Sequence, residues 1–235
     1  MKISDNILES SKLNLLSGEL RIESGKMNAI AGFFKDSLRS LVRELDLYIK
    51  KSRDIPWWYN ERPCVSFYAN GVCRNMNEAV VLEEFRSRTD SGSLGRADLY
   101  ICHKNRHILV EGKKALCNIN DESGDWSNTW ESAALRQAQR YSGDFKYDCL
   151  MSLCFTTLYC NRKNLRQTLT RLQSNSWSNC RLAVERGLDF CGFVHIKDIK
   201  TIEKIALLSN NPRNTYCYFA CLITGMIAAV NKEGR

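Results

Sequence analysis

Hydrophobic side chains recur every three or four positions in the first part of the chain. After a polar start they stand at Ile30, Phe34, Leu38, Leu41, Leu45 and Tyr48. This spacing is that of one helix face, so we predict an amphipathic helix over residues 27–51. Pro56 then interrupts the pattern, and residues 61–74 are again typical of helical or irregular structure. We therefore expect residues 1–75 to form a helical lobe.

A different pattern begins near residue 76. Asn77 suits a helix N-cap, and the helix predicted after it would end near Thr89 with Glu78, Val81, Leu82 and Phe85 on one face. Two strand-like runs follow, over residues 97–102 and 107–113. The remaining predicted elements are a helix over 129–141, a buried strand over 149–159, a helix from Asn161, a strand over 190–196 and an apolar helix over 216–230. This order predicts an α/β or α+β fold for residues 76–235, a sheet flanked by helices.

The two strand-like runs have the pattern of a hairpin that turns at Lys104 and Asn105. In a symmetric hairpin, residue i faces residue 209 minus i, which places Asp98 opposite Glu111. Side chains alternate across a strand, so Glu111 and Lys113 project to one face. Two facing carboxylates repel each other unless a positive charge lies between them. Mg²⁺ prefers oxygen ligands and is often held by one or two carboxylates, so these residues indicate a site for phosphodiester hydrolysis.

Three motifs occur in order around this hairpin. They are Gly95-Arg96-Ala97-Asp98 before apolar residues, Ile108-Leu109-Val110-Glu111-Gly112-Lys113, and Gln137-Ala138-Gln139-Arg140-Tyr141. The set resembles the signatures of RecB-like nucleases in the PD-(D/E)xK, or restriction-endonuclease-like, superfamily. The resemblance covers residues 77–159 and implies a central mixed β-sheet flanked by helices.

The resemblance also implies roles for individual residues. Asp98 and Glu111 would bind Mg²⁺, or Mn²⁺, and Lys113 would be the catalytic lysine. Gln137 and Tyr141 would lie beside the metal site and the nucleic-acid backbone. The family usually adds an acidic residue from the helix before the hairpin, for which Glu78 is our first candidate and Glu84 the second. Some relatives carry an iron–sulfur cluster, but the tight cysteine pair that it needs is missing near Cys149, Cys154 and Cys160, so we expect none.

Basic residues flank the predicted site along the sequence. The candidates for contacts with the phosphate backbone are Arg96, Arg136, Arg140, Arg162, Lys163 and Arg166. Trp57, Trp58 and Tyr59 could stack on bases, but we expect these rings to pack the helical lobe against the sheet.

Composition narrows the class of protein. The 235 residues carry 34 Lys and Arg against 26 Asp and Glu, a net charge of +8 that favours polyanionic partners. The beginning of the sequence lacks a signal-peptide pattern, so we expect a cytoplasmic protein whose 11 cysteines are reduced. The uncharged segment over residues 216–230 is shorter than the roughly 20 residues that a membrane-spanning helix needs, and no membrane contact is expected.

The sequence thus favours a Mg²⁺-dependent nuclease acting on DNA, with RNA left open as the substrate. Two alternatives remain at this stage. One is a nuclease-fold module that binds nucleic acid without cutting it. The other is an interaction subunit, with a homodimer as one form, that uses the aromatic N-terminal lobe or the apolar segment over residues 216–230 as its partner surface.

Overall fold

The computed structural model describes residues 2–5, 15–23, 31–88, 94–119, 129–141, 147–170, 187–208 and 216–229. Its strands are β1 (Lys2–Asp5), β2 (Leu16–Glu23), β3 (Val80–Arg88), β4 (Leu94–His103), β5 (Arg106–Asn118), β6 (Cys149–Asn161), β7 (Phe190–Ile196), β8 (Tyr216–Gly225) and β9 (Ile227–Ala229). Its helices are α1 (Ala31–Ser52), α2 (Glu61–Asn75), α3 (Thr129–Gln139), α4 (165–170) and α5 (Ile199–Leu208). Short 3-10 helices cover Pro56–Trp58 and Arg162–Asn164.

All the described strands belong to one mixed sheet. Eight of them lie in the spatial order β1-β2-β7-β8-β6-β5-β4-β3, and β9 extends the pairing of β6. Strands β5 and β6 are parallel, and the chain between them passes through α3. The other pairs are antiparallel. The predicted α+β architecture, a central sheet with flanking helices, is confirmed.

Helices cover both faces of the half of the sheet that carries the motifs. On one face, α1 and α2 pack over a core that includes Leu99, Ile101, Ile108 and Val110. On the other face, α3 packs over a second, smaller cluster around Leu109. Strand β5 is therefore buried on both sides, as parallel-paired strands usually are.

The two helices on the first face approach each other closely. A Cβ atom at Gly71 of α2 would lie 2.8 Å from backbone atoms of Ser40 and Leu41 on α1. Only glycine fits this contact without moving a helix. The crossing fixes α2, and with it the residues at the start of α2, relative to the sheet.

The structure confirms most predicted elements between residues 27 and 196. Helices α1, α2 and α3 occupy the predicted ranges within a few residues, as do strands β6 and β7. The hairpin of β4 and β5 turns at Lys104 and Asn105, which both have positive φ. Such left-handed residues are typical of a two-residue hairpin turn.

Three predicted elements are wrong. Residues 80–88 form the edge strand β3 instead of a helix, and Glu78 lies in the turn before it. Residues 216–225 form the interior strand β8 instead of part of an apolar helix, so the predicted helix is not there to serve as a partner surface. The N-terminal third is not purely helical, because β1 and β2 join the sheet through β7.

The state of the cysteines and the presence of a membrane-spanning helix can also be checked for the described residues. Ten cysteines are described, all of them without a disulfide bond, and seven are buried from solvent. No described helix is both long enough and apolar enough to cross a membrane.

Candidate active site

The hairpin register brings Asp98 and Glu111 together. The observed pairs run from His103 with Arg106 to Leu99 with Val110, as the predicted turn requires. Asp98 and Glu111 are the next positions in this register. The Oδ2 atom of Asp98 accepts a 2.7 Å hydrogen bond from the backbone N–H of Gly112, and this bond fixes the Asp98 carboxyl beside β5.

Glu111 is the most unusual residue of the site. It is fully buried, yet among the described residues neither of its carboxyl oxygens has a hydrogen-bond partner. Burial is the main cause that raises the pKa of this carboxyl to about 9, and the adjacent Asp98 carboxyl adds to the effect. A buried carboxyl group without a hydrogen-bond donor is costly, and the Lys113 ammonium, which lowers the pKa of Glu111, only partly offsets the effects of burial and of Asp98.

A third carboxyl group comes from α2. Glu61 is the first residue of this helix, and its Oε1 atom lies 3.7 Å from Nζ of Lys113. Partial burial raises the pKa of Glu61, Asp98 raises it further, and Lys113 opposes both effects. The Lys113 ammonium also donates a 2.7 Å hydrogen bond to the carbonyl oxygen of Gly112. Glu61, Asp98, Glu111 and Lys113 thus influence one another electrostatically and form what we call the carboxylate site.

Gly112 allows α2 to approach β5 at this point. A Cβ atom there would overlap the side chain of Val65 and lie 3.5 Å from Asp98 Oδ2 and 3.8 Å from Cγ of Glu61. The glycine between the two functional residues of the Glu-Gly-Lys motif therefore has a packing role. It lets the helix bring Glu61 to the strand.

We expect Gly112→Ala to lower the free energy of unfolding by about 1–3 kcal/mol, because the added methyl group overpacks the contact with Val65. Urea unfolding followed by circular dichroism measures this. The matched control is Gly32→Ala on α1, where an added Cβ meets nothing within 4 Å. Equal stability of the Gly112 and Gly32 variants would contradict the close approach of α2.

The structure does not place the two predicted helical glutamates in the carboxylate site. Glu78 is exposed in the turn before β3 with a φ of 64°. Glu84 is exposed on β3, and its carboxylate binds Arg62 and Arg96. Both predictions were wrong because they depended on a helix over residues that form β3. The acidic residue that a helix contributes is Glu61.

Gln137 and Tyr141 were expected to lie on one helix beside the metal site, and only Gln137 lies on α3. Gln137 lies half-buried on α3, while α3 ends at Gln139 and Tyr141 follows in the next turn. The Tyr141 ring is buried in the cluster around Leu109 and Ala97, a neighbour of Asp98. This position supports the strands of the site and gives Tyr141 a packing role.

The predicted basic residues separate into two groups. Arg96, Arg136 and Arg140 are exposed on or next to β4 and the C-terminal end of α3, near the strands of the carboxylate site. The other three, Arg162, Lys163 and Arg166, follow the far end of β6. Glu111 pairs with Ser152, and Asn161 lies nine positions further along the strand, roughly 30 Å from Ser152. The second group is therefore remote from the carboxylates, and Arg166 also lies 4.0 Å from Glu203.

The aromatic residues after Pro56 have different environments. Trp57 is buried in the main core, as predicted for the packing of the lobe on the sheet. Trp58 and Tyr59 are exposed, and the Trp58 ring packs against Tyr218 at a centroid distance of 4.0 Å. The packing expectation is thus confirmed for Trp57, and Trp58 also contacts the sheet, through Tyr218 of β8, while it stays exposed on its other side.

Lys113 and Lys114 have separate environments. Lys114 donates a 2.5 Å hydrogen bond to the carbonyl oxygen of Trp57 and another to the Thr157 hydroxyl. Burial lowers its pKa. The partners of Lys114 thus differ from those of Lys113, which contacts Glu61 and the Gly112 carbonyl oxygen.

The residues of the carboxylate site fit a hard divalent cation. Among the described residues, no three acidic, histidine or cysteine side chains form a group that could hold a metal ion as they stand. The fit comes from the chemistry of the donors. The two oxygens of Glu111 have no donor among the described residues, and the carboxyls of Asp98 and Glu61 are its neighbours. Oxygen atoms of this kind are the ligands that Mg²⁺ and Mn²⁺ prefer.

Comparison with known proteins gives no relative for this chain. No protein-family model, curated protein or solved structure matches it.

Proposed function

We propose that this protein is a Mg²⁺-dependent nuclease of the PD-(D/E)xK type that hydrolyses phosphodiester bonds of DNA. The observation that carries the proposal is Glu111, which is fully buried, has no hydrogen-bond donor for either oxygen in the described part of the chain, and adjoins Asp98. The order of the three sequence motifs adds the resemblance to this nuclease class.

The charge balance of the site favours a bound cation. Three carboxyl groups influence one another, and the Lys113 ammonium group acts on both Glu61 and Glu111. When all three carboxyls are ionised, the site has a net charge of −2. A divalent cation neutralises this charge and replaces the missing donors of Glu111. Another buried glutamate, Glu131, differs from Glu111 in that one of its carboxyl oxygens accepts a hydrogen bond, from the Thr224 hydroxyl.

Each residue of the carboxylate site has a proposed role. Asp98 and Glu111 would hold the cation, with Glu61 as the third oxygen donor. Bound Mg²⁺ supplies Lewis-acid stabilisation of the charge that develops on a phosphoryl group. Lys113 adds an ammonium group that neutralises the same charge and positions the attacking water. Its hydrogen bond to the Gly112 carbonyl holds the ammonium beside the carboxyls.

The surface around the site suits a polyanionic substrate. The chain has a net charge of +8, and Arg62, Arg96 and Arg136 are exposed on the elements that frame the carboxylates. Basic residues of this kind supply affinity for phosphates without regard to sequence. The charge therefore supports a nucleic acid as the substrate class.

Cleavage of supercoiled plasmid during titration with Mg²⁺ tests the proposal. We expect conversion to nicked or linear DNA that starts with added Mg²⁺ or Mn²⁺ and stops with excess EDTA. Parallel reactions with linear duplex DNA, single-stranded DNA and RNA of the same sequence identify the substrate and separate endonucleolytic from exonucleolytic cutting. Salt-sensitive binding without metal-dependent cutting of any of these would refute the nuclease and favour a binding module.

A further inference from the structure

Two arginine side chains meet at one carboxylate next to the carboxylate site. Arg62 of α2 lies 2.6 Å from Oε1 of Glu84, and Arg96 of β4 lies 2.5 Å from Oε2 of the same residue. The side chain of Arg62 is 78% exposed and that of Arg96 is 50% exposed. Each guanidinium group thus binds one oxygen of Glu84. Most of the Arg62 side chain and half of the Arg96 side chain remain open to solvent.

The position of this group follows from the sheet register. Glu83 pairs with Leu99 and Phe85 pairs with Ala97, so Glu84 occupies the place on β3 that faces Asp98. Arg62 follows Glu61 directly in the chain, and Arg96 precedes Asp98 by two residues. Chain adjacency and strand register therefore place this group next to the carboxylate site: Arg62 follows Glu61, and Glu84 lies at the position on β3 that faces Asp98.

The backbone of Glu84 is unusual for a residue within a strand. Its φ is 52°, in the left-handed region that favours glycine, although the flanking residues pair regularly with β4. Such a conformation persists only where other contacts hold it. The two arginines are the contacts that the structure shows for the Glu84 carboxylate.

We propose that Arg62 and Arg96 form a clamp for one phosphate group of the DNA, and that Glu84 fills this clamp in the free protein. The inference rests on the proposed function, since it takes DNA as the substrate. A phosphodiester has two non-bridging oxygens that share one negative charge, so it can replace the two oxygens of Glu84 without changing the net charge of the clamp. Guanidinium groups bind carboxylate and phosphate oxygens with the same geometry. Glu84 is then an internal competitor of the substrate.

Binding of a fluorescein-labelled 20-base-pair DNA duplex in EDTA tests the clamp, because this measurement does not require cleavage. Fluorescence anisotropy is recorded over a series of KCl concentrations. We expect Arg62→Ala and Arg96→Ala each to weaken binding about fivefold or more near 0.1 M salt, and each to reduce the slope of log affinity against log salt by about one. Glu84→Gln is expected to strengthen binding several-fold, because the competing carboxylate is gone.

The exposed ion pair of Asp36 and Arg39 on α1 provides the matched controls. Its atoms lie 3.6 Å apart, and Asp36→Asn and Arg39→Ala change the net charge of the protein by the same amounts as the clamp variants. The clamp is refuted if Arg62→Ala and Arg96→Ala weaken binding no more than Arg39→Ala does, if Glu84→Gln matches Asp36→Asn, or if the wild-type protein does not bind the duplex. Clamp-dependent binding by a protein that cuts no nucleic acid would instead refute the nuclease and leave the clamp intact.

Discussion

Lys113→Met and Asp98→Asn are each expected to reduce Mg²⁺-dependent DNA cleavage by on the order of a hundredfold to a thousandfold, the usual cost of removing one group that stabilises transition-state charge. Lys113→Met keeps the aliphatic stem and removes an ammonium group that acts on both Glu61 and Glu111. Asp98→Asn keeps an oxygen that can accept the hydrogen bond from Gly112 and removes the charge that would hold the cation. Initial rates of plasmid cleavage at saturating Mg²⁺ give the comparison.

Lys51→Met, at an exposed position on α1, is the control for the lost lysine charge. Thermal unfolding of each variant shows whether the fold is intact. Cleavage at the wild-type rate by a folded Lys113→Met or Asp98→Asn protein would remove these residues from the mechanism. Duplex binding should persist in both variants, since neither belongs to the proposed clamp.

The second large effect concerns pH and Glu111. In the metal-free protein the pKa of its carboxyl is about 9, against an ordinary value of 4.5. Between these values the folded state holds a proton that the unfolded chain has released. The free energy of unfolding therefore falls as the pH rises, by up to about 1.4 kcal/mol per pH unit, and the fall ends above pH 9. Urea unfolding in EDTA at pH 5.5, 6.5, 7.5 and 8.5 measures the slope.

Glu111→Gln should flatten this slope, because glutamine does not titrate. Glu83→Gln, on the exposed edge strand, is the control and should retain it. Mg²⁺ must displace the proton of Glu111, so its stabilising effect on the wild-type protein should grow with pH and be lost in Glu111→Gln. A slope that is the same in Glu111→Gln and the wild type would show that Glu111 does not carry the buried proton.

The local part of the site could be predicted from the sequence. The turn at Lys104 and Asn105 predicts a register in which Asp98 and Glu111 are neighbours, and the observed pairs as far as Leu99 with Val110 agree with it. Register depends on short-range turn geometry and on which face is apolar, and both can be read from the order of residues. The burial of Glu111 could not be predicted from the sequence, because the helices that cover β5, α2 and α3, come from distant parts of the chain.

The third carboxyl group was missed for an identifiable reason. Residues 77–89 contain apolar positions that suit a helix or a strand. Because they were interpreted as a helix, Glu78 and Glu84 became the candidates for the acidic residue. Glu61 did carry a signal, since it precedes Val65, Ala69 and Val72 at helical spacing on the buried stripe of α2. Its use required knowing that α2 packs on the hairpin, which the sequence pattern alone does not state.

The segment over residues 216–225 illustrates a different limit. Its residues are almost all apolar, so periodicity cannot distinguish a buried helix from a strand that is covered on both faces. The structure places it between β7 and β6, where eight of its ten residues are buried. The secondary structure of such a segment depends more on its position in the sheet than on the intrinsic preference of its residues.

The interior place of β8 has a consequence for how the molecule is made. Strands β1, β2 and β7 connect to β6, β5, β4 and β3 only through β8 in the order of the sheet. A ribosome must therefore translate past residue 225 before the sheet can become continuous, although the hairpin that carries Asp98 and Glu111 emerges much earlier. During synthesis the partly made chain has an open edge on β6, where it is exposed to chaperones and to misassembly until β8 inserts.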